Sequence, residues 1–214
     1  MKSGYPYVQH LRYQPWPEDE GVCVEFRLIY RGNLPAQNSG NSRVKDKHAI
    51  RRQFHPQLRE LWKGNQILGR YFLGGYHDHN RPGGEPTTGI EIMSRKFSRC
   101  GYQFLPLVGG EFGTACSLDI LFLRRDNPGN LIESGGDIDN RIKTLFDASR
   151  IPEYDNEVDG PPLSDEWPFF CLMETDQLIT EVKITTDRLL APQADDEHIH
   201  DVHLVLHVKT KMSM

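Results

Sequence analysis

Asp137 and Asp139 stand one residue apart, and Lys143 follows the second by four, in the stretch Gly135-Gly136-Asp137-Ile138-Asp139-Asn140-Arg141-Ile142-Lys143. Two neighbouring carboxylates are the oxygen-donor chemistry that holds a hard divalent cation such as Mg²⁺. An ammonium beside them would stabilise a phosphate as it gains charge. Gly135 and Gly136 free the backbone to bring both acids to one point. The following residues read as a short amphipathic helix. Ile142, Leu145, Phe146 and Ser149 keep the i, i+3, i+4, i+7 rhythm of a buried stripe. Asp139, Lys143 and Asp147 recur at i, i+4, i+8 on another face. Each part also has a plain structural use: an Asp before a helix is commonly an N-cap, and an Asp/Lys pair four apart is commonly a surface ion pair.

The whole pattern, Asp-x-Asp-Asn-x-x-Lys-x-x-x-Asp-Ala, resembles the signature of the RusA-type Holliday junction resolvases, small Mg²⁺-dependent endonucleases. The resemblance implies that Asp137, Asp139 and Lys143 are catalytic, while Asn140, Asp147 and Ala148 match structural positions. It also implies a further metal-binding acid at the entry to a downstream strand. In Met173-Glu174-Thr175-Asp176-Gln177-Leu178-Ile179, that acid is Asp176 when Ile179 and Ile184 take the apolar positions, with Glu174 as an auxiliary acid. A one-residue shift would put Glu174 at the first acid and Thr175 at the ligand position. The implied metal set is Asp137, Asp139, Asp176 and Glu174 around Mg²⁺, with Mn²⁺ as a substitute. The implied substrate is branched DNA, such as a Holliday junction, cut by a homodimer. Related expectations are a nuclease for flaps, single strands or RNA, and a non-cleaving nucleic-acid-binding or interaction protein that keeps the fold. The resemblance covers roughly residues 115 to 210.

The elements needed to position such a site can be read in the same chain. Ala115 to Arg124 alternates strongly, with Leu118, Ile120 and Phe122 on one side. It precedes the acidic stretch as a strand. Val22 to Tyr30, Phe104 to Val108, Leu178 to Thr186 and His200 to Lys209 are further strand candidates. On the last, Val202, Leu204, Leu206 and Val208 share one face, and His203, Val205 and His207 share the other. The His-rich face reads as a half-exposed strand surface. A helix is expected from about Lys47 to Lys63, N-capped by Asp46, with Ile50, Phe54, Leu58, Leu61 and Trp62 buried and a kink or break at Pro56. Residues 151 to 168 read as an acidic, proline-bearing insertion or mobile loop. His77-Asp78-His79 lacks a second pair at zinc-like spacing and reads as loop.

These patterns make an α/β (α+β) chain. The resemblance implies a single RusA-like domain with a mixed β-sheet packed by helices. Residues 111–214 would be its catalytic core. Residues 1–110 would be an N-terminal elaboration of leading strand, basic helix and Gly/Pro-rich loop, packed on the same domain. At 37% hydrophobic residues the chain can form a substantial core, and it has no apolar run of about eighteen residues that would cross a membrane. Its start lacks the apolar run of a signal peptide, and Cys23, Cys100, Cys116 and Cys171 show no paired spacing. A cytoplasmic location is the expectation.

The net charge of −5 conceals an asymmetry. Arg43, Lys45, Lys47, Arg51, Arg52, Arg59, Lys63 and Arg70 are opposed in their segment only by Asp46 and Glu60. From 151 to 201 the sequence holds fourteen acids against Lys183 and Arg188. Beside a nuclease-like motif, Arg43, Lys45, Lys47, Arg51, Arg52 and Arg59 are candidates for gripping a phosphate backbone, with Arg141 inside the motif itself. Arg51, Arg52, His55 and Arg59 are expected to point outward or sideways from the helix. The plain alternative is a solvated basic face.

Overall fold

The computed structural model describes residues 24–35, 43–77, 84–125, 138–190 and 201–212. In chain order the elements are β1 (Glu25–Asn33), α1 (Val44–Gly64), α2 (Gly89–Lys96), β2 (Ser98–Arg99), β3 (Tyr102–Val108), β4 (Thr114–Arg124), α3 (Ile138–Ser149), β5 (Phe169–Met173), β6 (Ile179–Arg188) and β7 (Asp201–Met212). Short 3-10 turns lie at Leu68–Phe72, Gly110–Phe112, Asp155–Glu157 and Asp176–Leu178.

Period-two alternation puts four of these strands in one mixed sheet, ordered β1-β7-β4-β6, in which only β4 and β6 run parallel. Leu28 and Tyr30, then Leu118, Ile120 and Phe122, then Val202, Leu204, Leu206 and Val208 all turn to one side and are buried. Ile50, Phe54, Leu58 and Trp62 of α1 and Ile142, Leu145 and Ala148 of α3 complete that core. A second mixed sheet, β2-β3-β5, has β3 and β5 parallel. Both are buried nearly throughout, as parallel strands usually are. Strands from either side of residue 110 share each sheet. The architecture is mixed α+β, and no described helix is long and apolar enough to cross a membrane.

Several expectations change in detail. α1 runs unbroken through Pro56, because its buried stripe continues on both sides of the proline. Packing of that stripe outweighs a penalty of about 3 kcal/mol for the lost bond and the ring clash. Its N-cap is Arg43, in left-handed backbone at φ 52°, and Asp46 lies one turn in. There the carboxylate still suits the positive end of the helix dipole. β3 continues through Pro106. β2 pairs only with Tyr102 and Gln103, so from Phe104 onward β3 is laddered on the β5 side alone, a setting in which a strand tolerates proline. The lead-in before Val24, Asp78 and His79, and His198 and His200 lie outside the described residues.

Candidate active site

The exposed side of α3 is set by its stripe. Ile142, Leu145 and Ala148 are in the core, which leaves Asp139 and Lys143 in solvent one turn apart. The third member of the expected acidic face, Asp147, is buried. At about 100° per residue, a position eight along has rotated about 80° from the first, enough to turn Asp147 inward. Asp147 and Ala148 are both buried parts of the packing, the kind of role the family pattern implied for them. Asp137 lies outside the described residues.

α3 lies against the 3-10 turn Asp176–Leu178, whose Leu178 packs on the core. Asp176 opens that turn and is exposed. The Thr175 hydroxyl accepts from the Gln177 N–H at 3.4 Å and so caps the same turn. Glu174 already has structural work: one carboxylate oxygen accepts from the Gly110 N–H at 3.0 Å. Its own N–H donates to the Val108 carbonyl at 2.8 Å. Of the two apolar positions used to align this segment, Ile179 packs on the core, whereas Ile184 is 38% exposed.

The donor chemistry of Asp139, Asp176 and Glu174, all oxygen, fits Mg²⁺ or Mn²⁺. Among the described residues no three His, Cys, Asp or Glu side chains are grouped closely enough to hold a metal. Asp139 and Asp176 are the exposed acids of this set, with Asp137 the expected third.

The basic helix is used differently from the expectation. Lys47 is buried and donates to Asp147 Oδ2 at 2.7 Å. Arg51, 2% exposed, donates to the main-chain carbonyls of Glu157 at 2.7 Å and Asp147 at 2.8 Å. Arg52 Nε donates to Glu166 at 2.7 Å, and Arg59 reaches the Asp165 carbonyl at 3.3 Å. Arg150 adds contacts to Asp147 at 3.7 Å and Glu157 at 3.3 Å. The acidic connection 151–168 is therefore fastened along α1. Burial removes Lys47, Arg51 and Arg141 from any phosphate-gripping surface. Arg43, Arg52 and Arg59 are half-buried, and Lys45 is exposed.

His48 and His55 also face inward, among Tyr102, Phe169 and Phe170. His55 Nδ1 accepts from the Phe170 N–H at 2.9 Å, which leaves Nε2–H to donate to the Asp165 carbonyl at 3.2 Å. Burial lowers both imidazole pKa values, that of His48 to about 4, with Arg52 and Arg51 adding repulsion there. Both rings are neutral at physiological pH. On β7, His207 Nε2 meets Glu25 at 2.6 Å on the outer sheet face, and His203 is half-buried there.

Sequence reading also passed over two glutamines on α1. Gln57 exchanges two hydrogen bonds with the main chain of Ile29, at 2.9 and 2.8 Å. Gln53 does the same with Arg31, at 3.1 and 2.9 Å. Their i, i+4 spacing on a helix following a strand was the available signal. Comparison with family models, curated proteins and solved structures found no match.

Proposed function

We propose that this chain is a Mg²⁺-dependent endonuclease that hydrolyses phosphodiester bonds in branched DNA. The observation that carries the reading is the exposed Asp139/Lys143 pair on α3, a helix otherwise committed to the core, beside the turn bearing exposed Asp176. Exposed charges on a short, well-packed helix need no place there for stability, and their pattern with Asp137 is the resolvase-like one. Asp137, Asp139 and Asp176 would hold the cation, which when bound activates water and stabilises a leaving oxygen. Lys143 would face the scissile phosphate and offset its growing charge. The resemblance further implies a homodimer, so that each of two sites cuts one strand of a junction. With Lys47, Arg51 and Arg141 buried, Lys45 and the half-buried Arg43, Arg52 and Arg59 remain of the basic set to meet DNA.

One observation favours a non-cleaving reading: Thr175 stands where the family has an acid and is used to cap the turn. Cleavage of labelled four-way junction, flap, duplex, single-stranded DNA and RNA, with Mg²⁺, Mn²⁺ or EDTA, separates the readings. The expected result is metal-dependent nicking of the junction that falls to the EDTA level in Asp139→Asn. Cutting of another substrate only would keep the chemistry and discard the junction. Absence of cutting, with nucleic acid still bound by both proteins, would replace the enzyme with a binding protein.

A further inference from the structure

We propose that the connection 151–168 is a preformed docking surface for a basic protein partner, with Trp167, Leu163 and Tyr154 as its apolar anchors. The proposal goes beyond the nuclease reading and does not rest on it.

The first observation is where apolar surface is left uncovered. Among the described residues, Leu73, Tyr154, Leu163, Trp167 and Leu190 are the large apolar side chains more than half exposed, and three of these five lie in this one connection. Apolar side chains scattered singly over a surface need no explanation, whereas a group of them marks a contact site. Leu163 and Trp167 flank one tight turn, closed by the Glu166 N–H on the Leu163 carbonyl at 3.1 Å. Tyr154 opens the other turn of the connection, closed by the Glu157 N–H on its carbonyl at 2.9 Å. The core takes their neighbours Ile151, Phe169 and Phe170 and leaves these three outside.

The second observation is that the backbone beneath them is held. Glu166 is buried, accepts from Arg52 Nε at 2.7 Å, and accepts from the Leu163 N–H at 2.8 Å. His55 and Arg59 donate to the Asp165 carbonyl at 3.2 and 3.3 Å. Arg51 donates to the Glu157 carbonyl at 2.7 Å, and the Tyr102 hydroxyl lies 3.2 Å from the Gly160 carbonyl. Arg51, His55 and Arg59 follow one another a turn apart on α1, which sets the two turns roughly 6–12 Å apart along it at 1.5 Å per residue. A surface ordered before contact loses little chain freedom on binding. Trp and Tyr are also the residue types that carry the most binding energy in protein interfaces.

Charge identifies the partner. The connection holds six acids and no Lys or Arg. Three of the acids are paired: Glu157 with Arg51 and Arg150, Glu153 with Arg150, and Glu166 with Arg52. Asp155, Asp159 and Asp165 are exposed and make no ion pair among the described residues. Arg59 reaches the Asp165 main chain and Glu60, not the Asp165 carboxylate. The surplus repels phosphate, so neither a nucleic acid nor an anionic lipid surface suits this face. It suits a protein whose lysines and arginines surround an apolar cleft, with the anchors in the cleft and the acids at the rim.

The test uses a displayed library of short random peptides, selected on the full chain, with the enriched peptides then synthesised and titrated singly. The expected peptides combine Lys or Arg with an aromatic or aliphatic residue. Trp167→Ser should weaken their binding by roughly tenfold or more. Asp155→Asn and Asp159→Asn together should weaken it severalfold and reduce its dependence on salt. Leu163→Ser and Tyr154→Ser, on separate turns, repeat the test independently, and circular dichroism verifies folding of each variant. Asp139→Asn should leave peptide binding unchanged, and Trp167→Ser should leave any DNA cleavage unchanged, so the two readings fail separately. No enrichment, enrichment of peptides without basic residues, or peptides that bind all three anchor variants as tightly as the wild type would overturn the proposal. So would binding of single-stranded DNA or of phosphatidylserine vesicles that is lost in Trp167→Ser. Self-association in sedimentation that Trp167→Ser abolishes would make the occupant a second copy and overturn it as well.

Discussion

α1 and α3 both carry cations and carboxylates at helical spacing, but α1 turns Lys47 and Arg51 into the interior whereas α3 leaves Asp139 and Lys143 exposed. Three cations of α1 are taken up by other elements: Lys47 by Asp147 of α3, Arg51 by the main-chain carbonyls of Asp147 and Glu157, and Arg52 by Glu166 of the acidic connection. On α3, Asp139 and Lys143 are exposed. A run of like charge in a sequence is therefore ambiguous until its partners are known. The basic run 43–70 and the acidic run 151–166 are complementary halves of one internal seam, which also removes much of the reason to expect a nucleic-acid surface on α1.

That contrast can be broken first at Asp147. Asp147→Ala strands the buried Lys47 ammonium and should cost about 3–5 kcal/mol in urea unfolding, whereas replacing both partners by apolar residues of similar size should cost far less. Asp139→Asn, on the exposed side of the same helix, should change stability by less than about 0.5 kcal/mol. Equal losses at the two positions would erase the distinction.

The seam should also be sensitive to acid. His48 and His55 have lowered pKa values when folded, so below about pH 6.5 the unfolded chain binds protons that the folded chain refuses. Stability is then complete above that pH and falls as pH drops below it, with His48 contributing up to about 1.4 kcal/mol per unit down to about pH 4 and His55 acting in the same direction. Urea midpoints measured between pH 7.5 and 5 should show the decline, and His48→Gln should flatten it. A flat profile in the wild type would mean that these rings meet protons in the folded state. The smallest effect is expected at Gln57→Ala, about 1 kcal/mol or less, since water can replace the amide at an exposed edge. With Gln53→Ala added, β1 should become an open edge, visible as association that the wild type does not show at the same concentration.

Much of the scaffold could be read from short-range pattern. Alternation located β4 and β7 and their buried faces, and the apolar stripe from Ile142 to Ser149 falls within α3. The misreadings on α1 have one origin. Arg51 is buried because of groups 96 and 106 residues away, and His55 because of Phe170, 115 residues away. Helical periodicity carries no information about such partners, so a polar residue beside the apolar stripe is assigned to solvent by default. Likewise, the length of 151–168 suggested looseness, while the side chains that pin it belong to another element. Within the candidate site, Asp139 and Lys143 were legible because exposure on a short helix follows from the stripe alone. The acid at the strand entry was not, since Glu174 and Asp176 differ in what each touches: an amide of the Gly110 turn for one, the adjacent Thr175 hydroxyl at 3.5 Å for the other.

The glutamine seal on β1 bears on the order in which the molecule assembles. Gln53 and Gln57 lie only 22 and 28 residues beyond their partners on β1, whereas the contact between Val24 and Thr210 at the end of the same strand spans 186. Closing the shorter loop costs about 1.7 kcal/mol less chain entropy. β1 and α1 can thus form a local hairpin-like unit, strand on helix, before any sheet exists to receive it. The helix can then serve as a stand-in strand that holds β1 extended, with its other edge left for the last strand of the chain.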